Sequence, residues 1–260
     1  LKLKPMYLAD FHIHSNFSDG VMSIPEIVDF YGEQGFGAIA VTDHICESSG
    51  LGKAAAYLGK TLTQATFPLY QQILKTERKR AWAEYGMLLI PGFEVTKNSL
   101  FNHRAAHVVA LGATEWISAD QDLKQIARSI RNQGGFAVAA HPLSPNPAGN
   151  KPYYLWDRRH ELRDEFDAWE ITYGAELLKE VFETDLPKIA TSDLHQKRHI
   201  RSWKTGFSCA RSEEALFEAI RYQDVKFEFY SGEGVLNGNL RSGPLGSRLW
   251  GESLGNLAFS

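Results

Sequence analysis

The residues 8–20 read LADFHIHSNFSDG, an apolar run that ends in two histidines and is followed by an aspartate. In an extended strand alternate residues point the same way, so His12 and His14 project from one face and can hold one ion. Asp19 lies in a polar loop ended by Gly20 and can fold back over that ion. A lone HxH pair also occurs on ordinary surface strands, so the rest of the chain decides. AIAVTDH ends in Asp43 and His44, MLLIPGFE in Glu94, GFAVAAH in His141, and KIATSDLH in Asp193 and His195. Five apolar runs thus end in His, Asp or Glu on their carboxyl side. In α/β barrels and open parallel sheets, that is the side where sites are built.

With His107, which lies inside the apolar run AAHVVALG, the candidate ligands number nine: His12, His14, Asp19, His44, Glu94, His107, His141, Asp193 and His195. Strand-end logic alone reads His107 as a satisfied core histidine. The set offers nitrogen and oxygen and no sulfur. One four-coordinate ion does not need so many donors, whereas two or three ions bridged by carboxylate do. Imidazole with carboxylate suits Zn, Mn or Fe rather than Ca or Cu(I). Two such ions about 3.5–4 Å apart clamp phosphoryl oxygens, lower the pKa of a water towards ~7 and stabilise the leaving oxygen. Glu94, Asp193 and His195 are the catalytic candidates. No GxSxG elbow, Walker loop or convincing GxGxxG competes.

The elements that must position these residues follow from periodicity and caps. Ser23-Ile24-Pro25-Glu26 reads as a capped helix start, with Ile27, Val28, Phe30 and Tyr31 on its buried face and Gly35 and Gly37 at its end. Together with the strand 38–42 it makes a βαβ unit. Residues 53–84 read as largely helical and broken by Pro68. The charge run Lys75, Glu77, Arg78, Lys79 and Arg80 reads as a solvated face. A strand at 105–112 and a helix at 120–133 follow, the helix burying Leu123, Ile126, Ala127 and Ile130. Residues 144–154 form a long irregular loop, 155–164 a helix, 166–172 a strand, 175–183 a short helix and 187–192 the seventh strand. Residues 205–210 read as an edge-like eighth strand, 212–222 as a helix capped by Ser212. From Ser231 on, Gly, Asn and Ser suggest a peripheral strand and then loose order. GPLGS at 243–247 looks like a vector-derived scar.

Composition bounds the rest. The chain has 260 residues, 43% of them hydrophobic, and a net charge of −3. One α/β barrel, typically about 250 residues, fits this length. The charge does not suggest a coat for long nucleic acid or anionic membranes, and no run reaches the roughly 20 apolar residues of a membrane span. Cys46 and Cys209 make no disulfide framework or thiolate knuckle, and Cys46, although close to His44, reads as a buried inert thiol. These features are read as those of a cytoplasmic protein. The start at Leu1, without Met, reads as truncation or processing.

The motifs FHIHSNFSDG, VTDH, GFEVT, HVVALG, AAHP and ATSDLH, in this order between about Tyr7 and Tyr222, resemble the PHP (polymerase and histidinol phosphatase) superfamily. The resemblance implies a distorted (β/α)7 TIM-like barrel in residues 1–230, a peripheral tail in 231–260, and a trinuclear metal centre at the carboxyl ends of the strands. It implies that His12, His14, Glu94 and Asp193 hold one ion. Glu94 would bridge to a second ion shared with His107 and His141. Asp19, His44 and His195 would hold the third. Asp43 would orient a ligand rather than bind metal. Thr172-Tyr173 departs from the Asn that many relatives carry, which leaves substrate contacts there open.

The expected activity is hydrolysis of a phosphomonoester or small phosphodiester, a nucleotide or short oligonucleotide among the candidates. The alternatives are an amidohydrolase-like metal hydrolase, whose bridging lysine is missing at the strand ends, and a non-catalytic scaffold, which would have lost ligands. Arg104, Lys197, Arg198, His199 and Arg201 flank the ligands and are the candidates for gripping a second phosphate, Arg by bidentate bonds and Lys as a point charge. Substrate, metal and oligomeric state are not legible.

Overall fold

The computed structural model describes residues 5–51, 54, 58–97, 105–144, 151–152 and 154–241. Its strands are β1 (Tyr7–Asp10), β2 (Ala38–Val41), β3 (His44–Cys46), β4 (Leu88–Lys97), β5 (Ala106–Leu111), β6 (Phe136–Ala140), β7 (Leu143–Ser144), β8 (Lys151–Pro152), β9 (Ala168–Glu170), β10 (Thr172–Tyr173), β11 (Glu176–Leu177), β12 (Lys188–Ile189), β13 (Ser202–Phe207), β14 (Lys226–Tyr230) and β15 (Val235–Arg241). The main sheet runs β12-β9-β6-β5-β4-β2-β1-β13-β14-β15, with β3 beside β4. Seven of these strands, from β1 round to β12, form the wall. A parallel bridge between Ile13 and Leu194 brings the far end back to the first strand. The result is a mixed α/β fold with a nearly closed, barrel-like sheet.

One strand of the wall runs against the others. β1, β2 and β4 are mutually parallel, as are β6, β9 and β12, but β5 is antiparallel to both β4 and β6. A reversed strand presents its amino end where its neighbours present their carboxyl ends. His107, second residue of β5, therefore reaches the same mouth as Glu94 and His141. The core-histidine reading assumed a parallel strand.

The helices form where caps and periodicity agree. The helix Ile24–Glu33 opens with a full capping box: Ser23 accepts from the Glu26 N–H and Glu26 accepts from the Ser23 N–H. It buries Ile24, Ile27, Val28 and Tyr31, while Phe30 is only half-buried. The helix Leu123–Asn132 has a capping box from Asp122 and Gln125 and buries Leu123, Ile126, Ala127 and Ile130. Ser212 caps the helix Glu213–Arg221 through the Ala215 N–H.

Four local expectations change. Pro68 does not break a helix but starts one: Phe67–Tyr85 carries it in the first turn, where its missing N–H costs nothing. The charge run in that helix is not simply solvated. Glu77 is buried, and Arg80 ties it to Asp29 and Glu84, while Arg78 reaches Glu213 at 2.7 Å. Residues 175–183 are not one helix. Gly174, with φ of 56°, turns β10 back into β11, and only Lys179–Phe182 is helical. The eighth strand is not an edge, because β13 lies between β1 and β14 and is buried throughout. Residues 145–150 and the GPLGS segment lie outside the described residues. No described helix is long and apolar enough to cross a membrane.

Ile126 is fully buried between its helix and the sheet. Ile126→Ala should lower unfolding free energy by about 2–5 kcal/mol in a urea titration, the usual range for a core cavity.

Candidate metal centre

The first two histidines continue the line of β1, and backbone bonds hold them on both sides. The His14 N–H donates to Leu194 O at 2.8 Å, Leu194 N–H to His12 O at 3.1 Å, and Thr42 N–H to Ile13 O at 2.7 Å. The loop that carries Asp19 then folds back tightly. A Cβ on Gly20 would lie 2.0 Å from His14 O, so only glycine allows this return. Asp43 fixes the same loop: its carboxylate accepts from Ser15 N–H at 2.9 Å, Ser15 Oγ at 2.6 Å and Ser18 Oγ at 2.6 Å. It touches Ser15, next to His14, and Ser18, next to Asp19, and so holds the loop that carries these two candidates.

His44 opens β3 directly opposite Glu94 of β4, and Glu94 stands inside its strand rather than at its end. His141 and Asp193 follow β6 and β12 with φ of 23° and 50°. Such backbone is costly for residues other than glycine and tends to mark sites that the surroundings hold in place.

All nine candidates meet in one cluster. His14, Asp19, His44 and His195 present donor atoms within 4.8 Å of one another; so do His12, Glu94 and His141, and so do His12, His14 and Asp193. His107 joins through its Nδ1, 3.1 Å from Glu94 Oε1. Relative to the implied ligand sets, His14 lies within reach of the Asp19 group, and His12 within reach of the Glu94–His141 group. The two oxygens of Glu94 face different halves of the cluster. Oε1 lies 3.3 Å from His12 Nε2, 3.1 Å from His107 Nδ1 and 3.4 Å from His141 Nε2. Oε2 lies 2.6 Å from His44 Nδ1 and 3.8 Å from His14 Nε2. Asp193 Oδ1 completes the centre, 3.1 Å from His14 Nε2 and 3.4 Å from His12 Nε2. Asp19 Oδ1 sits at the rim, 3.1 Å from His195 Nε2 and 3.5 Å from His44 Nε2.

Burial governs the electrostatics. It pushes His14 down to about 3, aided by neighbouring His44, so this ring is a neutral lone-pair donor at neutral pH. Burial also works to raise Glu94 and Asp193, but surrounding imidazoles outweigh it and hold both carboxyls well below their usual range. For Asp19, hydrogen bonds from His195 and His44 overcome the same burial and keep it ionised. His12 Nε2 and both nitrogens of His14 are buried without a well-formed hydrogen bond. Buried polar atoms are normally satisfied. A divalent ion would satisfy these, so the donor set fits metal, and its lack of sulfur fits Zn, Mn or Fe more than Cu(I).

Glu170 was missed in the sequence. It is buried at the end of β9, accepts from His12 Nδ1 at 2.9 Å and Thr191 Oγ1 at 2.8 Å through Oε1, and accepts the His141 N–H at 2.8 Å through Oε2. One carboxylate thus sets the tautomer of His12, leaving Nε2 free to ligate, and holds His141 in its strained conformation. The available sign was an acidic residue closing the apolar run FDAWE, in line with the other five runs.

The basic candidates divide. Arg104 lies outside the described residues. Lys197, Arg198 and His199 sit in a 3-10 turn, Lys197–Ile200. Lys197 Nζ lies over the Phe30 ring at 5.5 Å, turned towards the first helix. His199 Nδ1 accepts the His195 N–H at 3.2 Å. Arg198 and Arg201 are exposed and make no ion pair among the described residues. Cys46 is half-buried, its thiol pushed up by burial, and it joins none of the ligand groups. Tyr173 stands edge-on to His141, ring centroids 5.9 Å apart.

Glu170→Gln keeps the shape of the side chain but removes its charge. It should weaken divalent-metal binding by about 10–100-fold, measured by equilibrium dialysis against Zn or Mn.

Comparison with known proteins bears on this arrangement. Residues 10–115 match the family model of the PHP domain. A search of curated proteins finds no match. Among solved structures, the chain is similar to a two-domain protein containing a predicted PHP-like metal-dependent phosphoesterase from Bacteroides vulgatus. The TM-score is 0.67 and the identity 22%, covering 88% of this chain and 66% of that one. The chain therefore spans slightly less than two thirds of that protein's length. It is more distantly similar to PsfC from Pseudomonas syringae (TM-score 0.48, 18% identity, 80% of this chain and 84% of that one). An amidohydrolase from Chromobacterium violaceum gives a TM-score of 0.46 at 17% identity, over 72% of this chain and 87% of that one. The chain thus carries the PHP-domain signature in residues 10–115, within a fold that it shares with the Bacteroides protein.

Proposed function

We propose that the chain is a metal-dependent phosphoesterase that hydrolyses a phosphomonoester or a small phosphodiester. The observation that carries this reading is Glu94. It is fully buried, with one oxygen turned to His12, His107 and His141 and the other to His44 and His14. A carboxylate so divided is placed to bridge two ions, and bridged ions suit in-line displacement at phosphorus. His12, His14, Glu94 and Asp193 would hold one ion, with Glu94 shared by a second at His107 and His141; the division of Glu94 cuts across these sets, since Oε1 faces members of both and Oε2 faces His14 and His44. Asp19, His44 and His195 would hold a third. When bound, such ions supply Lewis-acid activation of water and neutralise charge on the phosphoryl oxygens.

The chain's own residues set direction and protonation. His12 and His14 are inaccessible, whereas His195, Asp193 and Asp19 are 25%, 27% and 35% exposed. A substrate therefore enters over Asp193, Asp19 and His195 and meets the buried donors last. His195 Nδ1–H donates to Asp193 O at 2.9 Å, which leaves Nε2 as the ligating nitrogen on the open side. Glu170 does the same for His12. Arg198, exposed two residues after Gln196 and three after His195, is a candidate to hold a second phosphate. That would favour a nucleoside bisphosphate or a short oligonucleotide end over a plain sugar phosphate, and a net charge of −3 argues for a small ligand over a long nucleic-acid footprint.

Elemental analysis of protein purified without chelator should find three ions per chain, at least two of them retained on dialysis. One ion or fewer, with no reconstitution by Mn or Zn, overturns the reading. The metal-loaded protein should turn over members of a panel of phosphomonoesters, nucleoside bisphosphates and short oligonucleotides. Turnover confined to amides or lactones would support the amidohydrolase-like alternative instead.

Glu94→Gln should release metal and lose most activity, while the melting temperature of the chelator-treated protein stays near that of chelator-treated wild type. Wild-type turnover by this variant would show that Glu94 bridges nothing.

Arg198→Ala should lose more kcat/KM on a two-phosphate substrate than on its one-phosphate analogue, by roughly 1.5–3 kcal/mol for a charged hydrogen bond. Equal losses would remove the second-phosphate contact and leave a generic phosphoesterase.

A further inference from the structure

A buried ion pair lies outside the nine candidate ligands. Lys204 on β13 and Asp10 on β1 are both fully buried, with Nζ 3.3 Å from Oδ2. Lys204 Nζ also donates to Ser202 Oγ at 2.5 Å. Asp10 in turn accepts from the Ser192 N–H at 3.0 Å, from Ser192 Oγ at 2.6 Å and from Tyr31 OH at 2.8 Å. Asp10 stands two residues before His12, and Ser192 directly precedes Asp193.

The contacts around Ser192 show what the pair holds. β12 ends at Ile189, yet the chain continues upward and closes the barrel against the line of β1. Side chains fasten this segment to β13, β9 and β1 in turn. Thr205 Oγ1 accepts from the Ala190 N–H and donates to Ala190 O, both at 2.9 Å. Thr191 Oγ1 donates to Glu170, and Asp10 holds Ser192. Backbone bonding to the first strand resumes at Leu194. Asp193 lies between these two fastenings with φ of 50°, so its place depends on them.

A buried ion pair is a poor source of stability, since apolar residues of the same volume often serve as well or better. An apolar pair has no acceptor for the Ser192 N–H. We propose that Lys204, acting through Asp10, is a positioning residue for the metal centre: the pair pins the segment 190–194 to β1 and so sets the separation of His12 and His14 from Asp193 and His195. This rests on the metal-centre reading above.

The test uses Co(II) as a visible probe on the full chain. Wild type, Lys204→Met, Asp10→Asn and Ile126→Ala are titrated with Co(II), following ligand-field absorption and, by dialysis, bound metal. Their unfolding is measured in chelator. Lys204→Met and Asp10→Asn should bind Co(II) at least about 10-fold more weakly and shift its absorption band. Ile126→Ala, destabilised in a helix that contributes none of the candidate ligands, should keep wild-type affinity and spectrum. Asp10→Asn carries the test alone should Lys204→Met fail to fold. Wild-type affinity and spectrum in a folded Lys204 or Asp10 variant overturn the proposal and leave the metal centre standing. So does an Ile126→Ala chain that loses as much affinity for the same loss of stability. Wild type that binds no Co(II), Mn or Zn overturns the metal-centre reading and this inference with it.

Discussion

Carboxylates and imidazoles taken out of water must find compensation, and this requirement shapes the mouth of the barrel. Glu94 is fully buried, and neither His12 nor His14 touches solvent. An isolated ionised group in such a place would cost many kcal/mol, and in practice it changes protonation or acquires a counter-charge. Here the acids are held ionised by imidazoles, while His14 is driven neutral. The cluster is a matched set of donors whose unsatisfied nitrogens call for a cation. The surrounding devices serve that set: the tight return at Gly20, the Asp43 anchorage of the Asp19 loop, and the Glu170 link between His12 and His141.

Much of this was legible in the chain because two periodicities coincide with chemistry. Buried parallel strands read as apolar runs, and a ligand after such a run stands at the carboxyl mouth, which identified His12, His44, His141 and Asp193. Caps locate the helices that follow β1 and β13, because Ser23 and Ser212 sit where orphan N–H groups need acceptors, while the helix after β5 is legible from its apolar spacing and its Asp122 cap emerges only in the structure. What escaped depends on direction and tertiary contact. The reversal of β5 carries no local mark, since an antiparallel strand buried on both faces reads like a parallel one. His107 therefore entered the set only through family resemblance. Glu170 lies within a run that reads as plain strand, and its partners are 21, 29 and 158 residues away. Pro68 reads as a helix breaker by its interior penalty, but in the first turn that penalty does not apply.

The first helix and the long helix behind it meet through charge as well as packing. Arg80 draws Asp29, Glu77 and Glu84 together, and Tyr85 OH donates to Asp29 at 3.0 Å. Tyr70, from the same long helix, donates to carbonyls of Val41 and Gly92 and packs against Phe17 in the Asp19 loop. Through this one residue the outer helix layer contacts both strands that lead into His44 and Glu94. Packing at the rear and donor geometry at the front are therefore linked through Tyr70.

The reversal of β5 also decides how the chain passes from Glu94 to His107. A parallel neighbour of β4 would need a crossover to the far end of the barrel and back, with a helix to cover it. Because β5 runs the other way, the chain leaves β4 and enters β5 at the same rim that carries the donors. The antiparallel register holds Glu94 opposite Val109 and Thr96 opposite His107. The pairing of these two strands, rather than any helix between them, thus sets His107 beside Glu94.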